Sequence, residues 1–184
     1  MSLGINPNND EEVFKNFINV QNFLNKKKNK INFLKTHSSL CKVYDSNFTD
    51  YQNSLGVIYI VRDPRNIVTS MANHYDLSVD EATKILIDKK RFLEKSPKNC
   101  SVFVGSWGFN FNSWKEFQNK NKYILIKYED LITKKKTVFI KIFKFFNKLG
   151  IKIKLDIVKL NSAIKSTEFE KMKFLEEQQD FEEA

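Results

Sequence analysis

Cysteine is nearly absent from this 184-residue chain: Cys41 and Cys100 stand alone, with no CxxC spacing. That excludes a disulfide framework. With only two histidines it also leaves no Cys/His cluster for a structural metal, so no metal is expected. A reducing compartment is the default for such usage, and a cytoplasmic protein is the expectation. No apolar run is long enough to span a bilayer, and no signal-peptide pattern opens the chain, so no membrane partner is expected. Glycine is scarce, at five residues, and no Walker A loop is present. That argues against a nucleotide kinase, which would need such a loop and magnesium ligands.

What the chain has is phenylalanine and lysine. Seventeen Phe argue for a packed fold rather than disorder, and 184 residues fit a single domain over 1–184. Lys and Arg number 31 against 22 Asp and Glu, a net charge of +9. Runs such as Asn25–Lys30 and Lys134–Lys136 sit in predicted turns rather than along one face. A solvated surface explains them better than a nucleic-acid footprint. The charge would still steer a polyanionic ligand inward.

The chain is organised around residues 56–75, GVIYIVRDPRNIVTSMANHY. Val57–Val61 is a β-branched and aromatic run that reads as a strand buried on both faces. Asp63 suits an N-cap and Pro64 a first helical position, and Ile67, Val68 and Met71 continue at helical spacing. In open α/β sheets, ligands bind beyond the carboxyl ends of strands. A helix N-terminus offers N–H groups to an anion there, and Arg62 adds a planar fork of donors. Taken alone, Arg62 could equally pair with a surface carboxylate.

Elsewhere Asp10 caps a helix to about Leu24, and Ile31–Leu34 reads as a short strand ahead of Lys35-Thr36-His37. Lys42–Tyr44 is a possible short strand. Ser78 and Glu81 form a capping box for a helix reaching about Lys95. Gly105-Ser106-Trp107 opens a helix with Trp107, Phe111, Trp114 and Phe117 on one stripe. Tyr123–Lys127 is a third strand, followed by Tyr128-Glu129-Asp130. Helices over about 131–146 and 155–164 follow, broken by Gly150, with a further short helix in 167–178. Three strands alternating with helices predict an α/β fold, a parallel sheet covered on both faces. The right-handed crossover rule puts Lys35, His37, Arg62 and Tyr128 at one edge.

At such an edge a histidine can take a proton from a hydroxyl near neutral pH, and a lysine can stabilise charge on a leaving phosphate. A lone histidine after a strand is more often a surface residue, and His74, late in its helix, reads as structural.

Four separated motifs resemble the sulfotransferases that use 3′-phosphoadenosine-5′-phosphosulfate, especially the soluble cytosolic type. Lys35-Thr36-His37 resembles the family's KTH segment, Arg62–Ser70 its 3′-phosphate segment, Gly105-Ser106-Trp107 its GSW, and Tyr128-Glu129-Asp130-Leu131 its YED segment. Thr167–Met172 is a weaker match to TSFxxM. The order and approximate separations agree over residues 31–173.

The resemblance implies a P-loop-like architecture and sulfuryl transfer from that co-substrate to a hydroxyl or amine on a small molecule or glycan. It makes His37 the base and Lys35 a contact to the transferring group. Arg62 and Ser70 become the 3′-phosphate ligands, and Tyr128, Thr167 and Phe169 bound the adenine. The family's PKSGTTW phosphate loop with its strand, and its RKGxxG segment, have no counterpart in these residues, so a domain incomplete at both ends is the expectation. Two other readings are an inactive sulfotransferase-like scaffold and a basic nucleotide- or polyanion-binding module. The second would need exposed aromatics along a basic groove.

Overall fold

The computed structural model describes residues 4–28, 31–94, 100–168, 171, 172 and 174. The chain divides into two compact units, Met1–Leu125 and Ile126–Ala184. Among the described residues no helix is long and apolar enough to cross a membrane.

The first unit opens with α1 (Asp10–Lys15) and α2 (Phe17–Lys28). The cap is Asn9 rather than Asp10: its side chain accepts from the Glu12 N–H at 3.2 Å. Asn16 interrupts what reads as one helix, its amide turned back onto the Glu12 carbonyl at 2.9 Å. Such local side-chain bonds compete with helix continuation. Phe14 is buried and meets Phe17 edge to face at 5.0 Å. Phe17 meets Phe48, and Phe48 meets Trp114, at 5.1 and 6.1 Å. A small hairpin, β1 (Lys42–Val43) and β2 (Ser46–Asn47), lies between them in sequence.

The central strand β3 (Val57–Val61) runs as expected and leads into α3 (Pro64–Tyr75), capped by Asp63. Its sheet neighbour is β6 (Tyr123–Lys127), and the sheet is parallel. The Val57 N–H donates to the Lys122 carbonyl at 2.8 Å, tying the two strand starts together. Burial on both faces is not found, because Ile60 and Leu125 are 55% and 43% exposed. Among the described residues each strand has a single ladder neighbour, and only part of its surface is covered.

Ile31–Leu34 is not a strand. It is irregular, and Phe33 and Leu34 are exposed. Asn32 donates back to the Leu24 carbonyl at 3.4 Å and to Asn25 at 3.3 Å, a local alternative to a ladder.

The capping box forms as expected. Ser78 N–H donates to the Glu81 carboxylate at 2.9 Å, and Glu81 N–H donates to the Ser78 hydroxyl at 3.2 Å. The helix it starts, α4 (Val79–Ile87), is shorter than expected. Asp88 ends it by accepting from Lys90 N–H at 2.8 Å, so Phe92 enters a strand instead. That strand, β4 (Phe92–Leu93), pairs antiparallel with β5 (Val102–Phe103). The Trp/Phe stripe then spans α5 (Trp107–Ser113) and a 3₁₀ turn (Trp114–Lys120). Val68, Met71 and Ala72 of α3 pack with Ala82 and Leu86 of α4, and Trp107 lies against this core. The buried face of α3 is thereby fixed, and its opposite face carries exposed Ser70.

The second unit holds α6 (Tyr128–Thr133), α7 (Lys135–Lys148) and α8 (Ile157–Ser166). Among the described residues, Ile126, Val138, Phe145 and Leu160 are its buried apolar residues. Gly150, at φ +85°, lies just past the end of α7, as the sequence suggests.

Gly105 is the glycine that the geometry requires. Its φ is +63°, and a Cβ there would sit 2.9 Å from the Phe109 ring. Gly105→Ala should therefore cost about 1–3 kcal/mol of stability in a denaturant titration, the range for a strained left-handed residue.

Candidate functional site

The β3–α3 junction is the best-built part of the site. Asp63 accepts from the Arg65 N–H at 2.9 Å and binds the Arg65 guanidinium through both oxygens, the nearest contact being 2.6 Å. The side-chain bonds from Arg65, backed by its N–H, hold the Asp63 carboxyl down at about 2. One expectation is corrected here. Pro64 has no N–H and that of Arg65 is taken by Asp63, so the first turn of α3 is partly filled by its own cap. Arg62 is half-buried at the end of β3, and Ser70 lies on the exposed face of α3. The Asp63 charge is held locally by Arg65, which limits its opposition to an anion near Arg62.

The segment 36–40 is fixed without belonging to any strand or helix. Ser38 N–H donates to the Thr36 hydroxyl at 3.0 Å, and Ser39 N–H to the Phe103 carbonyl at 2.8 Å. The Ser39 hydroxyl donates to the Val104 carbonyl. From α5 and the 3₁₀ turn, Trp114 Nε1 donates to the Ser38 carbonyl at 2.9 Å, and the Ser113 hydroxyl accepts from Leu40 N–H at 2.9 Å. Ser38 and Ser39 are buried, at 4% and 0% exposure. His37 and Lys35, just before them, are exposed. The irregular backbone is tolerable because its polar groups are paired by these bonds.

Asn110 was not singled out in the sequence. Its Nδ2 donates to the His37 carbonyl at 3.1 Å and to the Val104 carbonyl at 3.2 Å, while its Oδ1 accepts from the Tyr59 hydroxyl at 2.8 Å. Burial pushes the Tyr59 phenol up to about 12, so it stays a donor at neutral pH. The sequence signal was an amide set inside the Trp107/Phe111/Trp114 stripe, where an apolar residue would be ordinary.

A profile of the sulfotransferase domain matches residues 8–183. The chain belongs to the sulfotransferase family. The crystal structure of mouse sulfotransferase SULT7A1 complexed with PAP shares the fold, with a TM-score of 0.53 and 24% identity. The match covers 74% of this chain and 45% of that one, so the part of this sulfotransferase chain that aligns spans less than half the length of the mouse protein. None of the curated proteins compared matches it.

Within this sulfotransferase domain the site residues named from the sequence fall in both units. Lys35, His37, Arg62 and Ser70 belong to the first. Tyr128 and Thr167 belong to the second and are described there by themselves. Tyr128 is the first residue of α6 and is 38% exposed. Thr167 caps the end of α8, its hydroxyl donating to the Ala163 carbonyl at 3.0 Å and its own carbonyl accepting from Lys135 Nζ at 2.8 Å. Phe169 lies outside the described residues. The GSW motif has a structural explanation: Gly105 makes the left-handed turn, Ser106 caps α5, and Trp107 packs on the α3–α4 core.

The Asp63 environment is directly testable. In Arg65→Ala the Asp63 carboxyl should titrate higher, back towards the ordinary aspartate range, because the Arg65 side-chain bonds are the largest cause of its depression. Carboxyl-detected NMR reads this; an unchanged Asp63 titration would show that the pair does not hold the charge. The sign for stability follows. The depressed carboxyl favours the folded state above its unfolded value of about 3.9, and that contribution fades as pH falls towards about 2.

Proposed function

We propose that the protein is a sulfotransferase that moves a sulfuryl group from 3′-phosphoadenosine-5′-phosphosulfate to a hydroxyl or amine on a small-molecule or glycan acceptor. The supporting observation is Arg62, set where a parallel strand meets α3, with Ser70 eight residues on and exposed, in a chain of this family. The reaction is an in-line displacement. His37 takes the acceptor proton, the acceptor oxygen or nitrogen forms a bond to sulfur, and the bond from sulfur to the 5′-phosphate oxygen breaks. Lys35 stabilises the negative charge developing on that phosphate oxygen. Arg62 and Ser70 hold the 3′-phosphate, which separates this donor from other adenine nucleotides. By the family resemblance, Tyr128, Thr167 and Phe169 contact the adenine. The donor set holds only Arg, Lys, Ser and neutral groups, which suits a polyanionic nucleotide without a bridging cation.

Two measurements test this reading. Calorimetry with adenosine 3′,5′-bisphosphate should find binding that Arg62→Ala weakens by roughly 1.5–3 kcal/mol, the range for hydrogen bonds to charged groups. Equal affinity in both proteins would remove Arg62 from the site. Transfer of labelled sulfate to a panel of phenols, alcohols, amines and oligosaccharides should then fall roughly 10²–10⁴-fold in His37→Ala, with nucleotide affinity kept. Nucleotide binding with no transfer to any acceptor would mark the protein as an inactive scaffold.

A further inference from the structure

We infer that Asn110 is a positioning residue that fixes the backbone of His37 against β3; its catalytic consequence rests on the reading of His37 as the base. Three bonds converge on one carboxamide, and they use it fully. Both N–H donors face carbonyls, those of His37 and Val104, and the oxygen faces the Tyr59 hydroxyl. The reversed amide would set its oxygen against two carbonyl oxygens, so this orientation is the one the surroundings permit. Asn110 is half-buried in α5, and Tyr59 sits in β3, three residues before Arg62. One side chain therefore ties the segment carrying the candidate base to the strand carrying the candidate phosphate ligand.

The position matters because of how His37 is otherwise held. From Ser38, whose carbonyl takes the Trp114 indole, the segment is bonded to neighbouring elements through Ser39 and Leu40. His37 lies one residue towards the exposed, irregular run from Ile31; the Ser38 N–H turns locally onto the Thr36 hydroxyl across it, and the bond from Asn110 to the His37 carbonyl ties it to α5. A base must sit within hydrogen-bond reach of the proton it removes, and small displacements at such a centre are costly in rate.

The test uses the full chain. In Asn110→Leu, which keeps the volume and removes all three bonds, ¹⁵N relaxation should show the Ser38 amide, which shares the peptide group of the His37 carbonyl, falling from a rigid order parameter of about 0.85 towards 0.6, with Leu40 unchanged. Affinity for adenosine 3′,5′-bisphosphate should stay within twofold, and kcat should fall roughly 10–10²-fold with KM for the donor little changed. Tyr59→Phe removes only the bond that orients the amide. It should loosen the same peptide less, and it serves as the test if Asn110→Leu does not fold. Asn110→His, which keeps one N–H donor, should recover part of the order and the rate. An unchanged order parameter at this peptide in Asn110→Leu, or in Tyr59→Phe where the first variant is unfolded, overturns the inference whatever the rate does. Loosening without loss of turnover supports the anchor and removes His37 as the base. Those two failures are therefore distinguishable.

Discussion

The first unit depends on a constraint usually met by strand pairing: buried backbone groups must be hydrogen-bonded. The segment 36–40 has no ladder of its own, yet Ser38 and Ser39 within it are buried. Its polar groups are met one by one, from the β5 end, from Asn110 and Ser113 of α5, and from Trp114. Each such bond contributes only about 1 kcal/mol net, but a buried group left unpaired costs about 1–3 kcal/mol. The α5 stripe is therefore more than an apolar face. Trp114 and Phe117, which continue it into the 3₁₀ turn, are buried in the core, while Asn110 and Ser113 hold a segment that lacks secondary structure.

The same economy appears at the β3–α3 junction. Asp63 caps the helix and is in turn engaged by Arg65, so a local loop of charge closes beside Arg62. Pro64 and the Asp63 cap leave this helix end with fewer open N–H groups than an uncapped one has. Trp107 packs against the cluster that Val68, Met71 and Ala72 of α3 form with Ala82 and Leu86 of α4. The GSW segment thus contributes a turn, a cap and packing on the α3–α4 core.

Much of this was legible in the sequence where the signal was local. Asp63-Pro64, the Ser78/Glu81 box and the helix opened by Gly105-Ser106-Trp107 are short-range patterns, and each forms where the sequence places it. Tyr123–Lys127 was also found at its expected bounds. Ile31–Leu34 was misread because four mostly apolar residues carry no information about a neighbour, and Asn32 found local partners instead. The helix after Ser78 ends sooner than its apolar spacing suggests because the Asp88 side chain accepts from the Lys90 N–H and makes a turn. Asn110 was missed for a different reason: its three partners lie 6, 51 and 73 residues away, and two of them are beyond any local window.

Amide hydrogen exchange gives the most direct test of the claim that segment 36–40 is held as firmly as a strand without being one. Ser39 and Leu40, whose N–H groups donate to the Phe103 carbonyl and the Ser113 hydroxyl, should exchange as slowly as amides within β3. Exchange of both at the rate of exposed loop amides would contradict the account.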